Sequence, residues 1–209
     1  ASIEQVQAAA RGAAHGALLQ SQRANVTQLQ AGIYGASAGA LSQFQQANVT
    51  QLQSAAYGAA HGVVAQHQRA NVSQLQFVAV GSAAGAARSA AQTQRAIVSQ
   101  IQEAAQGSAY GSLVQRQNVT VTQIQAAAFG AAGGGAASDA DTDPKKVQEA
   151  AMGAARGSLV QRQEISITQI QAAARGACRG ALTQSQNVSV TQIQQATIGA
   201  AEGGLTQTQ

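Results

Sequence analysis

The sequence predicts an α/β repeat solenoid. Nine 23-residue strand-helix units would place a parallel sheet on one side and closely packed, Gly/Ala-rich parallel helices on the other. Three observations lead there. The stretch ANVTQLQAGIYGASAGALSQFQQ (24–46) is followed by ANVTQLQSAAYGAAHGVVAQHQR (47–69), and the same 23-residue unit recurs along the whole 209-residue chain. Of the chain's 22 glycines, 18 fall in two columns of that unit. Glutamine recurs at alternate positions, as in a strand.

With position 1 at Ala1, Ala24, Ala47, Ala70, Ala96, Val119, Thr142, Ile165 and Val188, positions 20, 22, 1 and 3 read Gln, Gln, Ala and Val. The residues between them are variable and polar, the two-residue alternation of a strand. Ser or Thr at position 4 with Gln three residues on, as in Thr27 and Gln30, has the form of a capping box and starts a helix near position 5. A helix of about 15 residues spans roughly 22 Å. A seven-residue strand spans about the same, so one strand returns the chain to the next helix.

Inside the helix, positions 12 and 16 are glycine in every repeat, as in Gly12 and Gly16, Gly35 and Gly39, Gly58 and Gly62, Gly130 and Gly134, and Gly176 and Gly180. A helix-interior glycine costs about 1 kcal/mol against alanine. The GxxxG spacing recovers that cost only where another backbone packs against the glycine face. Residues between the variable positions 8, 11, 15 and 19 are nearly all small, so the helix is approached from three sides: two neighbouring helices and the sheet. Glutamine fills position 7 in every unit: Gln7, Gln30, Gln53, Gln76, Gln102, Gln125, Gln148, Gln171 and Gln194. In a stacked sheet such a column forms an amide ladder that satisfies each buried amide. A competing all-helical reading accounts for the glycines and leaves the alternation of glutamines unexplained.

The chain reads as one repeat domain, 1–209, with a seam or loop at 135–146, where GGGAASDADTDPKK loses the position 20 and 22 glutamines and puts Pro144 in a strand position. Asp139, Asp141 and Asp143 alternate there and are a weak Ca²⁺ candidate. Pro144 stands where a calcium loop wants glycine, and a solvated acidic turn fits better.

Other chemistry is sparse. No nucleophile-base pairing emerges, the three histidines are too few for zinc, and the one cysteine, Cys178, excludes an internal disulfide and sits at a small-residue position. The expectation is a non-enzymatic protein without cofactor. Net charge is +4, with only 10% charged residues scattered along the chain, which does not describe a nucleic-acid footprint. No apolar run is long enough to span a membrane.

Asn25, Asn48, Asn71, Asn118 and Asn187 each open an N-V-S/T sequon and are glycosylation candidates if the protein is extracellular or at the cell surface. Both terminal repeats are near consensus instead of being altered into caps, as expected either of a piece of a longer array or of copies that add head to tail. The leading expectation is therefore a structural protein whose units stack end to end on themselves into a filament or matrix. The alternative is a module presenting an outward Asn/Thr/Ser ladder to ice, a glycan or a crystalline surface. The unit resembles solenoid proteins such as leucine-rich repeats in pairing one strand with one helix, and lacks their leucine and asparagine signature, so no functional residue carries over.

Overall fold

Helices begin two residues earlier than the position 4 box implies. The cap is position 2: the Ser2, Asn25, Asn48 and Thr120 side chains each accept from the backbone N–H three residues on. The Gln5, Gln28, Gln51 and Gln123 side chains return the bond to the cap N–H. Asn71 with Gln74, Ser166 with Gln169 and Ser189 with Gln192 repeat the arrangement. The invariant Gln at position 5 in these units is thus a helix-start residue.

The structure, a computed structural model, describes residues 1–19, 24–66, 68, 70–93, 97–114, 119–160, 165–183 and 188–206. Among these it contains nine helices: α1 Ile3–Leu18, α2 Val26–Leu41, α3 Val49–Ala65, α4 Val72–Thr93, α5 Val98–Val114, α6 Val121–Gly135, α7 Pro144–Gly157, α8 Ile167–Thr183 and α9 Val190–Thr206. No strand occurs among the described residues, so the α/β strand-helix solenoid with its parallel sheet is corrected to an all-helical repeat array.

The correction follows from chain direction. A Cβ on Gly32 of α2 would meet Val63 and Val64 of α3, and one on Gly135 of α6 would meet Ala104 of α5. Position 9 of one helix therefore lies against positions 17 and 18 of its chain neighbour. Position 13 meets position 13, where Ser108 Oγ donates to Ser82 Oγ at 3.0 Å. Consecutive helices are antiparallel. The linker need not return the length of a helix, and the strand has no task. Between α2 and α3 the linker winds into turns instead, with Gln43 N–H donating to the Ala40 carbonyl and Gln46 N–H to the Gln43 carbonyl, both at 3.0 Å.

Helices two apart in the chain run parallel and pack most closely. Position 12 of one helix lies on position 7 of the second helix after it, and position 16 on position 11. The odd-numbered helices thus form one row and the even-numbered helices the other. The third side of each helix, where a sheet was expected, faces the opposite row through alanines such as Ala9, Ala13 and Ala17, all fully buried.

The core is one continuous cluster made mostly of alanine, studded at position 6 by Leu52, Leu75, Ile101, Ile124, Val147, Ile170 and Ile193. The three-residue insertion in the fourth repeat lengthens α4 to 22 residues. Pro144, read as a strand breaker, is the first residue of α7 behind the Asp143 cap, where its missing N–H costs nothing.

Candidate assembly faces

Each glycine pair of α1 to α7 is seated on a carbonyl pair. A Cβ at Gly12 and Gly16 would fall onto the carbonyls of Gln53 and Tyr57. Gly35 and Gly39 face Gln76 and Val80 in the same way, Gly58 and Gly62 face Gln102 and Gln106, and Gly130 and Gly134 face Gln171 and Arg175. Since glycine carries hydrogen in place of Cβ, a Cα–H is aimed at each carbonyl oxygen. Contacts of that kind contribute about 0.5–1 kcal/mol apiece and offset the helix-propensity cost.

The position 7 column has a different role from the one read in the sequence. The carbonyls of Gln53, Gln76, Gln102, Gln125, Gln148, Gln171 and Gln194 are the seats for the position 12 glycines two helices earlier. They cannot form an amide ladder, because no sheet stacks them and successive glutamines lie in opposite rows. Gln7 and Gln30 are exposed, and no described glycine rests on them.

Position 5 supplies the long-range amide bonds. Gln5 Nε2 donates to the Phe44 carbonyl at 2.9 Å, and Gln51 Nε2 to the Ala90 carbonyl at 3.0 Å. Gln100, fully buried, donates to the Asp139 and Thr142 carbonyls at 2.7 and 3.0 Å. The 135–146 segment is therefore tied to the start of α5. Its Asp143 side chain accepts from the Lys145 N–H as a helix cap. Among the described residues no three His, Cys, Asp or Glu side chains are grouped to hold a metal ion, Asp139, Asp141 and Asp143 included.

Asn25, Asn48 and Asn71 are exposed caps whose side-chain oxygens each accept at 2.9 Å, while Asn118 and Asn187 lie outside the described residues. Because consecutive helices are antiparallel, Asn25 and Asn48 stand on opposite flanks, and the Asn/Thr/Ser positions divide between the two flanks by alternate repeats.

His15 and His61 flank Tyr57, with ring centroids at 5.3 and 6.0 Å. Cys178 is buried against the Cβ position of Gly134, and burial pushes its thiol well above the usual range, as befits a packing residue. Burial likewise raises Glu103, countered in part by the charge of Lys145, and raises Glu149.

Two faces break the packing rule. On α8 and α9 the glycines Gly176, Gly180, Gly199 and Gly203 are exposed, and a Cβ there would meet nothing within 4 Å. Between these helices runs an apolar groove of about 510 Å³, walled by alanines such as Ala173, Ala177 and Ala200, with Ile193 also lining it.

At the other end, α1 presents Val6 45% exposed and Leu18 58% exposed, and α2 presents Tyr34 64% exposed. In the repeats from α3 onward position 6 is buried, and Leu113, Leu159 and Leu205 at position 18 are no more than 2% exposed. These position 6 and 18 residues were not singled out in the sequence. The signal was present: position 6 is Val, Leu or Ile in all nine repeats.

One end is therefore a socket with empty glycine seats, and the other carries the carbonyls and apolar side chains that fill such sockets inside the molecule. No family model matches the chain, and neither a curated protein nor a solved structure does.

Proposed function

We propose that this chain is a non-enzymatic structural protein whose helical array extends end to end, the α8–α9 face of one copy receiving the α1–α2 face of another. One observation carries the reading. The glycine pairs of all seven preceding helices sit on backbone carbonyls, while those of α8 and α9 sit on nothing. The missing carbonyl face is displayed at the opposite end of the same molecule. A contact between unlike faces does not close on itself and generates a filament. The apolar groove is an exposed patch of the kind that marks a protein contact.

The test is a concentration series followed by sedimentation velocity and negative-stain electron microscopy. Expected are particles that lengthen with concentration at the width of one two-row array. Gly180→Leu combined with Gly203→Leu should hold the chain at the length of a single copy with its helical circular dichroism intact. A wild-type chain that stays single at every concentration, or a double variant that still lengthens, would overturn the proposal.

A further inference from the structure

Resting on the end-to-end reading, we infer that α1 of the incoming copy continues the row that ends in α8, with its Val6 and Leu18 filling the α8–α9 groove, and that its α2 continues the row that ends in α9. Successive copies are then related by a half-turn about the stack.

Inside the molecule each helix sits on the helix two before it, and its position 10 and 14 side chains approach the earlier glycines. The Cβ atoms of Ala174 and Cys178 lie 3.1 and 2.8 Å from where Cβ atoms of Gly130 and Gly134 would be. Ile170 and Leu182, at positions 6 and 18 of α8, are buried too. The next helix of the array must therefore land on α8, in the seam between α8 and α9, with positions 6, 10, 14 and 18 pointing inward. On α1 those positions are Val6, Ala10, Ala14 and Leu18.

Gly176 would meet the Gln7 carbonyl and Gly180 the Arg11 carbonyl. One step later Gly199 would meet Gln30 and Gly203 would meet Tyr34. Landing on α8 places α1 of the incoming copy in the even-numbered row, so the rows exchange at the junction. Docking α1 on α9 instead would keep the rows but leave the groove unfilled and the α8 glycines bare.

The register is readable by cross-linking. Position 15 of one helix neighbours position 11 two helices later, as His15 neighbours Tyr57 with ring centroids 5.3 Å apart. On the inferred junction this pair is Arg179 and Arg11. In a chain carrying Cys178→Ala, the pair Arg179→Cys and Arg11→Cys should oxidise into a ladder of covalent multimers on a non-reducing gel. The pair Glu202→Cys and Arg11→Cys, which reports docking on α9, should not.

A ladder from the second pair and none from the first would overturn this register while leaving end-to-end assembly standing. Absence of any concentration-dependent assembly would overturn both. Independently, Val6→Lys with Leu18→Lys alters only side chains that the single copy exposes. It should abolish assembly with helical content unchanged, and undiminished assembly of this variant would remove Val6 and Leu18 from the junction.

Discussion

Helices α6 and α8 belong to the same row and carry the same glycine pair in opposite circumstances. Gly130 and Gly134 lie buried on the carbonyls of Gln171 and Arg175, and Gly176 and Gly180 face open space. The residue types and spacing are identical, so the difference isolates what a neighbour contributes. On α6 the glycines permit backbone contact that no other residue allows. On α8 they are only a helix-propensity cost until something docks.

The sharpest way to break the comparison is to place the same side chain at both sites. Gly130→Leu drives a branched side chain into a backbone carbonyl with no flexible atom to yield. The expected loss is about 3 kcal/mol or more. Gly180→Leu meets nothing and replaces the poorer helix former, so a gain of up to about 1 kcal/mol in the isolated chain is expected. Chemical denaturation of both variants at a concentration below assembly checks this. Equal losses would mean that the α8 face is covered in the single copy.

Next in size is a change at the amide that joins segment 135–146 to α5. Gln100→Leu leaves the Asp139 and Thr142 carbonyls without the donor they have at 2.7 and 3.0 Å. Both bonds are part-buried and water can reach the freed carbonyls, so the loss is expected near about 1 kcal/mol. Hydrogen exchange should show the loss concentrated in the turn before α7. A uniform loss would mean that the bond does not anchor that turn.

Much of this was legible in the sequence, and the part that was not has a physical cause. Period and glycine columns follow from residues at fixed positions, and in the structure the column glycines of α1 to α7 lie against backbone while Gly176 and Gly180 do not. The strand was misread because two overlapping capping signals exist two residues apart. Thr27 with Gln30 and Asn25 with Gln28 both have the spacing of a capping box, and the structure uses the second. That shift takes positions 3 and 4 into the helix.

Direction was hidden for another reason. Identical units can be related by translation, which needs a returning strand, or by a half-turn with translation, which makes neighbours antiparallel and still leaves every unit equivalent. The glutamine alternation is what speaks against an all-helical reading of the sequence. Its position 5 and 7 members prove to serve helix starts and backbone seats, two tasks that fall two residues apart by coincidence of helix geometry. For the candidate faces the glycines were legible. Val6 and Leu18 were not, because exposure of a position that is buried elsewhere is visible only once the neighbours are placed.

A smaller effect separates the interior of the odd row from its ends. Glu103 on α5 is pushed above its ordinary range by burial, with Lys145 opposing, and Glu149 on α7 is pushed the same way by burial. A carboxyl raised in the folded state favours folding while protonated. That contribution is complete below the unfolded pKa and is lost as pH rises through the folded value. Stability should therefore fall slightly from the carboxylate range toward neutral pH, and Glu103→Gln should flatten the slope. The groups are partly solvated, so well under about 1 kcal/mol is expected. Thermal unfolding across that range checks it, and a Glu103→Gln chain with the wild-type slope would assign the dependence elsewhere.

A last effect belongs to the junction itself and is read in assembly, not in the stability of the single copy. The inferred register sets Arg179 of one copy beside Arg11 of the next, whereas the same spacing inside the molecule pairs His15 with Tyr57. Two exposed guanidiniums repel by up to about 1 kcal/mol, a factor of about five in affinity. Screening weakens this as the Debye length shrinks from about 30 Å at 0.01 M salt to about 8 Å at 0.15 M. Assembly should strengthen with salt over that range, and Arg179→Glu should remove the salt requirement by turning repulsion into attraction. The chain's net charge of +4 also opposes association. Arg156→Glu therefore serves as the control, altering net charge equally from an exposed site on α7. If both variants respond alike, the salt effect reports overall charge and not the junction. If only Arg179→Glu responds, the two arginines meet where the glycine seats place them.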